Sequence, residues 1–240
     1  MYPDSEQIRE KLLADFHVYI MFDEFWGMND FGLLYQSDEA EFETGTTRTP
    51  LQGRIDETVD ESEELDRLTG NTAGREVIDQ MVLFFDTPPK KKYRTLEEFI
   101  QFVLACAKFS INSSVDINAP KLQSFRRLVR HHISVANDLG SFEKEMKAFH
   151  AAKTLYMINA VQMAKELIDM PTYDPTLGIT QAVQMQIETD IDQQIHRLME
   201  EEDMTSAECK YIDAALFTMT GNLHASIVLS RYGSEKWRPE

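Results

Sequence analysis

The chain has 240 residues, 42% of them hydrophobic, which is enough for one large buried core. Its 41 acidic and 24 basic side chains leave a net charge of −17, which argues against nucleic acid or an anionic membrane surface as partner, since both recruit clustered cations. No apolar run approaches the roughly 20 residues of a bilayer span, and no basic stretch leading into an apolar one opens the chain, so a cytoplasmic protein without membrane insertion is expected.

Helical spacing of Ile8, Leu12, Leu13, Phe16, Tyr19 and Ile20 predicts a first helix over 5–26. From Gln36 to Gly74 acids are dense, apolar periodicity is weak, and Gly45, Pro50, Gly53, Gly70 and Gly74 interrupt the run. This reads as an acidic loop or partly disordered insertion, with one short helix near Asp60–Leu68. A helix is expected over Arg75–Phe85, stopped by Pro88 and Pro89. Lys90–Arg94 is a basic cluster, and Thr95 is placed to cap a helix running through Phe99, Phe102, Val103, Ala107 and Ile111. Asn118-Ala119-Pro120 is a turn. Lys121–Ile168 reads as one or two long helices, Pro171–Pro175 as a loop, and Thr180–Glu200 and Ser206–Arg231 as two more helices. No strand pattern and no internal repeat is found. The two cysteines, Cys106 and Cys209, form no metal-ligand pattern and are expected as buried small hydrophobes. The fold class expected is all-α, with residues 1–240 forming one domain.

The segment Asn137-Asp138-Leu139-Gly140-Ser141-Phe142-Glu143-Lys144-Glu145 carries the most chemical information. Asn137, Ser141 and Glu145 stand at i, i+4 and i+8, so on a helix they share a face that drifts by about 40° per step. An amide oxygen, a hydroxyl and a carboxylate in line can take three corners of a magnesium octahedron. Lys144 lies beside that face, within reach of an anion held by the same cation. The competing reading is a helix surface of mixed polar residues.

This segment resembles the metal-binding "NSE" motif of class I terpene synthases, the fungal sesquiterpene cyclases above all. Arg231-Tyr232, following Gly221-Asn222-Leu223-His224, is similar to the end of that family's last active-site helix. Phe22-Asp23-Glu24-Phe25-Trp26-Gly27 is similar to its aspartate-rich motif, with Gly27 in the place of the last acid. The resemblance implies a helical bundle around a central active-site cavity. It implies Mg²⁺, as three ions alongside bound diphosphate, held by Asp23, Glu24, Asn137, Ser141 and Glu145. It gives Arg94, Lys144, Arg231 and Tyr232 the task of gripping the diphosphate, Arg94 as the sensor unless Lys91 or Lys92 substitutes. Phe22, Phe25 and Trp26, with Phe16 and Tyr19, become candidates to face a carbocation through cation–π attraction; the competing reading of each is core.

The activity so implied is ionisation and cyclisation of an allylic prenyl diphosphate, farnesyl diphosphate by family frequency, with release of diphosphate. Relatives often dimerise, which leaves a homodimer open. Members carry several helices before the aspartate motif, whereas about twenty residues precede it here, so a shortened N-terminus is expected. A prenyl-elongating synthase would need a second aspartate-rich motif in place of Asn137–Ser141. A di-iron bundle would need Glu three residues before His, which none of the six histidines has. The remaining alternative is a non-catalytic relative, a helical binding or interaction protein that kept part of the site.

Overall fold

The computed structural model describes residues 6–16, 50–85, 96–152, 157, 159–201 and 203–228, without the side chains of 50–52, 83–85, 96–99, 201, 227 and 228. Among these every regular element is helical, which agrees with the all-α expectation. No described helix is long and apolar enough to cross a membrane. The chain divides into two compact units, Met1–Ser114 and Val115–Glu240.

The first unit contains helical residues 7–16 (α1), Pro50–Thr69 (α2), Ala73–Phe85 (α3) and Leu96–Ser110 (α4). Its core joins Leu12, Leu13 and Phe16 of α1 to Leu65 of α2, Val77, Ile78 and Met81 of α3, and Phe102, Ala105, Cys106 and Phe109 of α4. Phe16 is therefore core of this unit. Burial pushes the Cys106 thiol far above its ordinary value.

The α2 helix corrects the sequence expectation: Pro50–Thr69 is one continuous helix of 20 residues, where a loop with a short helix was expected. Residues 36–49 lie outside the described residues. The buried face of α2 is built from Thr58, Ser62, Leu65 and Asp66, with Ile55 and Val59 packed beside them. Half of that face is polar, so apolar periodicity understates it. The hydroxyls of Thr58 and Ser62 donate to the carbonyls of Arg54 (2.9 Å) and Thr58 (2.8 Å), which satisfies them within the helix. Asp66 accepts from the backbone amides of Gly74 (3.0 Å) and Arg75 (2.8 Å) and so caps the start of α3 from the neighbouring helix.

Arg9 is the largest fully buried side chain of this unit. Its guanidinium donates to the Phe109 carbonyl (3.2 Å) and to Asn112 Oδ1 (2.9 Å), and lies 4.9 Å from the Phe109 ring centroid. Asn112 adopts φ 49°, a left-handed turn just beyond α4 that turns its carboxamide back to this cation.

The second unit contains a 3₁₀ turn at Pro120–Leu122, then Gln123–His150 (α5), Ala160–Leu167 (α6), Asp174–Glu201 (α7) and Ser206–Val228 (α8). The segment 121–168 is thus two helices with an interruption between them. The α7 helix starts earlier than expected because Pro175 falls in its first turn, where the missing N–H costs nothing. Cys209 is only half-buried, against the expectation that both cysteines would be interior.

The central element is α5. It packs on α7 in antiparallel sense, Phe142 meeting Tyr173 edge to face at 5.1 Å and His132 meeting Glu188 at 3.2 Å. It packs on α8 in parallel sense, Lys121 pairing with Glu208 at 2.9 Å near one end and Gly140 touching Ser226 near the other. Its Phe125, Val129, His132, Ile133 and Ala136 are buried, the spacing of an amphipathic helix.

Candidate functional site

The nine steps from His132 to Ser141 turn α5 through about 900°, which leaves the two residues on opposite sides of the helix. The line Asn137, Ser141, Glu145 therefore lies on the side of α5 away from His132 and its α7 partner, Glu188. Ser141 is nevertheless only 4% exposed, and Asn159 and Ala160, at the start of α6, are hydrogen-bonded to α5 at Asp138 and Glu145.

Three hydrogen bonds tie the start of α6 to α5. Asn159, itself 1% exposed, donates through Nδ2 to the Asp138 carbonyl oxygen (2.8 Å) and to Glu145 Oε2 (3.0 Å). Its Oδ1 accepts from the Val161 amide at 2.9 Å, capping α6. The Asp138 carboxylate accepts from the Ala160 amide at 2.8 Å. The other carboxylate oxygen of Glu145, Oε1, accepts from the Ser141 hydroxyl at 2.6 Å. Ser141, Glu145 and Asn159 thus form one chain of contacts, and Asp138 joins it through its carbonyl.

Burial is the main reason that the Asp138 carboxyl is pushed up to about 6. The Ala160 amide pulls the other way, and the neighbouring Glu145 charge adds to the rise. An anion at the first turn of α6 also has the favourable end of that helix's dipole before it.

Of the residues singled out from the sequence, Asn137, Ser141, Lys144 and Glu145 lie on α5; Ser141 is buried and the other three are half-buried. Ser141 and Glu145 are brought into direct contact. Tyr19, Phe22, Asp23, Glu24, Phe25, Trp26, Lys91, Lys92, Arg94, Arg231 and Tyr232 lie outside the described residues. Sequence reading missed Asn159. The signal was present: an Asn immediately before Ala160-Val161 is a helix-cap residue, and it marks the break inside 121–168.

The donor set fits magnesium in kind, being an amide, a hydroxyl and a carboxylate, all hard oxygens. The 2.6 Å between the Ser141 and Glu145 oxygens is the length of the hydrogen bond that joins them. Among the described residues no group of three or more His, Cys, Asp or Glu side chains could hold a metal ion; Asn137, Ser141 and Glu145 differ from such a group in offering an amide and a hydroxyl beside one carboxylate. No protein-family model matches this chain, and no curated protein matches it.

Proposed function

We propose that this protein is a magnesium-dependent class I terpene synthase that ionises and cyclises an allylic prenyl diphosphate, with farnesyl diphosphate as the substrate to try first. One observation carries the reading: Ser141 and Glu145 hold their oxygens together on α5, one and two turns after Asn137, in the order and spacing of the motif they resemble. In this reading Asn137, Ser141 and Glu145 hold one Mg²⁺. When bound, that ion stabilises the negative charge of the departing diphosphate as the C–O bond breaks. Lys144, next to Glu145 in sequence, donates to a diphosphate oxygen. The roles of Asp23, Glu24, Arg94, Arg231 and Tyr232 in metal and diphosphate binding, and of Phe22, Phe25 and Trp26 beside the hydrocarbon, rest on sequence resemblance alone.

The experiment is incubation of the full chain with farnesyl diphosphate, with Mg²⁺ or with EDTA, and gas chromatography–mass spectrometry of the extract. A hydrocarbon or terpene alcohol that needs Mg²⁺ and disappears in Asn137→Ala is the expected result. Folded protein that gives no product from geranyl, farnesyl or geranylgeranyl diphosphate overturns the reading.

A second reading, a non-catalytic helical binding protein, is favoured by the same network seen from Asn159. Both Glu145 oxygens and both ends of the Asn159 carboxamide already have partners in the chain, as a joint between α5 and α6 requires. The absence of product from folded protein would favour it.

A further inference from the structure

The Glu145 carboxylate is gripped at both oxygens. Ser141 donates to Oε1 from one turn earlier on the same helix, and Asn159 donates to Oε2 from the start of α6. A carboxylate has about four lone-pair positions, so two hydrogen bonds leave one open on each oxygen while removing the freedom of the group to rotate. Asn159 can do this because it is itself immobilised. It is almost fully buried, its Oδ1 is committed to the Val161 amide, and its Nδ2 is shared with the Asp138 carbonyl. The neighbouring amide, Ala160, is tied to the Asp138 carboxylate. The result is a fixed donor aimed at one oxygen of a side chain that is otherwise free to adopt several rotamers.

We propose that Asn159 is a positioning residue for the cation site of α5, orienting the Glu145 carboxylate so that its free lone pairs and those of Ser141 converge on one divalent cation. This rests on the functional reading above. The physical effect is preorganisation. Without Asn159 the ordering of Glu145 must be met from the binding free energy of the cation, and partners that orient a ligating carboxylate are worth about 10–100-fold in metal affinity. Asn159 itself touches neither cation nor substrate.

Two functions of Asn159, capping α6 and aiming Glu145, separate cleanly by substitution. Asn159→Ser keeps a good N-cap acceptor and is too short to reach Glu145 Oε2. The probe is Mn²⁺ in the presence of inorganic diphosphate, titrated into the full chain with free Mn²⁺ read by electron paramagnetic resonance. Circular dichroism of the same samples reports folding. The expected result is a wild-type protein that binds Mn²⁺ and a folded Asn159→Ser variant that binds it about tenfold or more weakly. A purely structural role would lower the melting temperature and leave the cation affinity of the folded protein unchanged. If wild type and folded variant bind within about twofold of each other, the positioning role is overturned and the functional reading stands. If wild type binds no Mn²⁺ with diphosphate present, the functional reading fails and takes this inference with it. If the serine variant does not fold, Asn159→Thr, which caps through the same hydroxyl and restores part of the buried volume, is read by the same criteria.

Discussion

Gly140 of α5 lies so close to Ser226 of α8 that a Cβ placed on the glycine would stand 2.7 Å from the serine Cβ. The nearest atom sits on the backbone-proximal part of its residue, so no side-chain rotation relieves the contact, and the two helices would have to move apart. Gly140→Ala should therefore destabilise the protein by about 1–3 kcal/mol, although in an exposed helix the same change gains nearly 1 kcal/mol. Ser226→Gly in the same chain should restore much of the loss. A double-mutant cycle by urea denaturation measures this, and strictly additive effects would show that the two residues do not compete for space.

His132 is 3% exposed, with Nε2 3.2 Å from Glu188 Oε1. Burial lowers its pKa, and the Glu188 hydrogen bond and charge offset part of that. The folded protein therefore takes up fewer protons at His132 than the unfolded chain as pH falls through about 6.5. The contribution to stability is fully present above that pH and is lost progressively below it. Glu188→Gln removes the group that holds the pKa up, so the imidazole resonances of His132 should titrate at lower pH in the variant. A titration that moves upward would contradict this account.

Asp138 should show the opposite slope. Its folded-state carboxyl is raised to about 6 from an ordinary 3.8, so its charged form is penalised by folding. The penalty grows as pH rises from about 4 and is complete above about 6. Asp138→Asn keeps an acceptor for the Ala160 amide and removes the charge. With EDTA present the stability of the variant relative to wild type should rise by up to about 3 kcal/mol between pH 3 and pH 8. A difference independent of pH would place the effect in packing or hydrogen bonding.

In the first unit, Arg9→Met should be among the costliest single changes. The substitution keeps much of the aliphatic volume and removes two charge-assisted hydrogen bonds, while the Phe109 carbonyl keeps the Asn112 amide and Asn112 Oδ1 keeps Asn71 Nδ2 as donors. A loss of about 1–3 kcal/mol is expected, read as a fall in the urea midpoint. A loss well under 1 kcal/mol would mean that the remaining donors, the Asn112 amide and Asn71 Nδ2, are enough for the two acceptors.

Much of the architecture was legible in the amino-acid pattern because buried helices need apolar residues at regular spacing. The seam of α5 through Phe125, Val129, Ile133 and Ala136 is a direct example. The expectation failed at α2, whose buried face uses Thr58, Ser62 and Asp66. Hydroxyls that bond to their own helix and a carboxylate that caps the next one pass for solvated polarity when only hydropathy is counted. The start of α7 was misplaced for a related reason, since a proline signals a break and is equally at home in a first turn.

At the candidate site, sequence determined the alignment of Asn137, Ser141 and Glu145, because i, i+4 and i+8 on any helix share a face. It also determined the residue types, and with them the hard-cation preference that the proposed site would have. Tertiary structure alone decided that α7 packs on the His132 side of α5, opposite this line. It alone decided that Gly140 is a point of helix contact, and that Asn159, fourteen residues beyond Glu145, returns to hold that carboxylate. A hydrogen bond between residues so far apart depends on how the interrupted helix folds back, and that follows from packing across the whole unit, which no local spacing encodes.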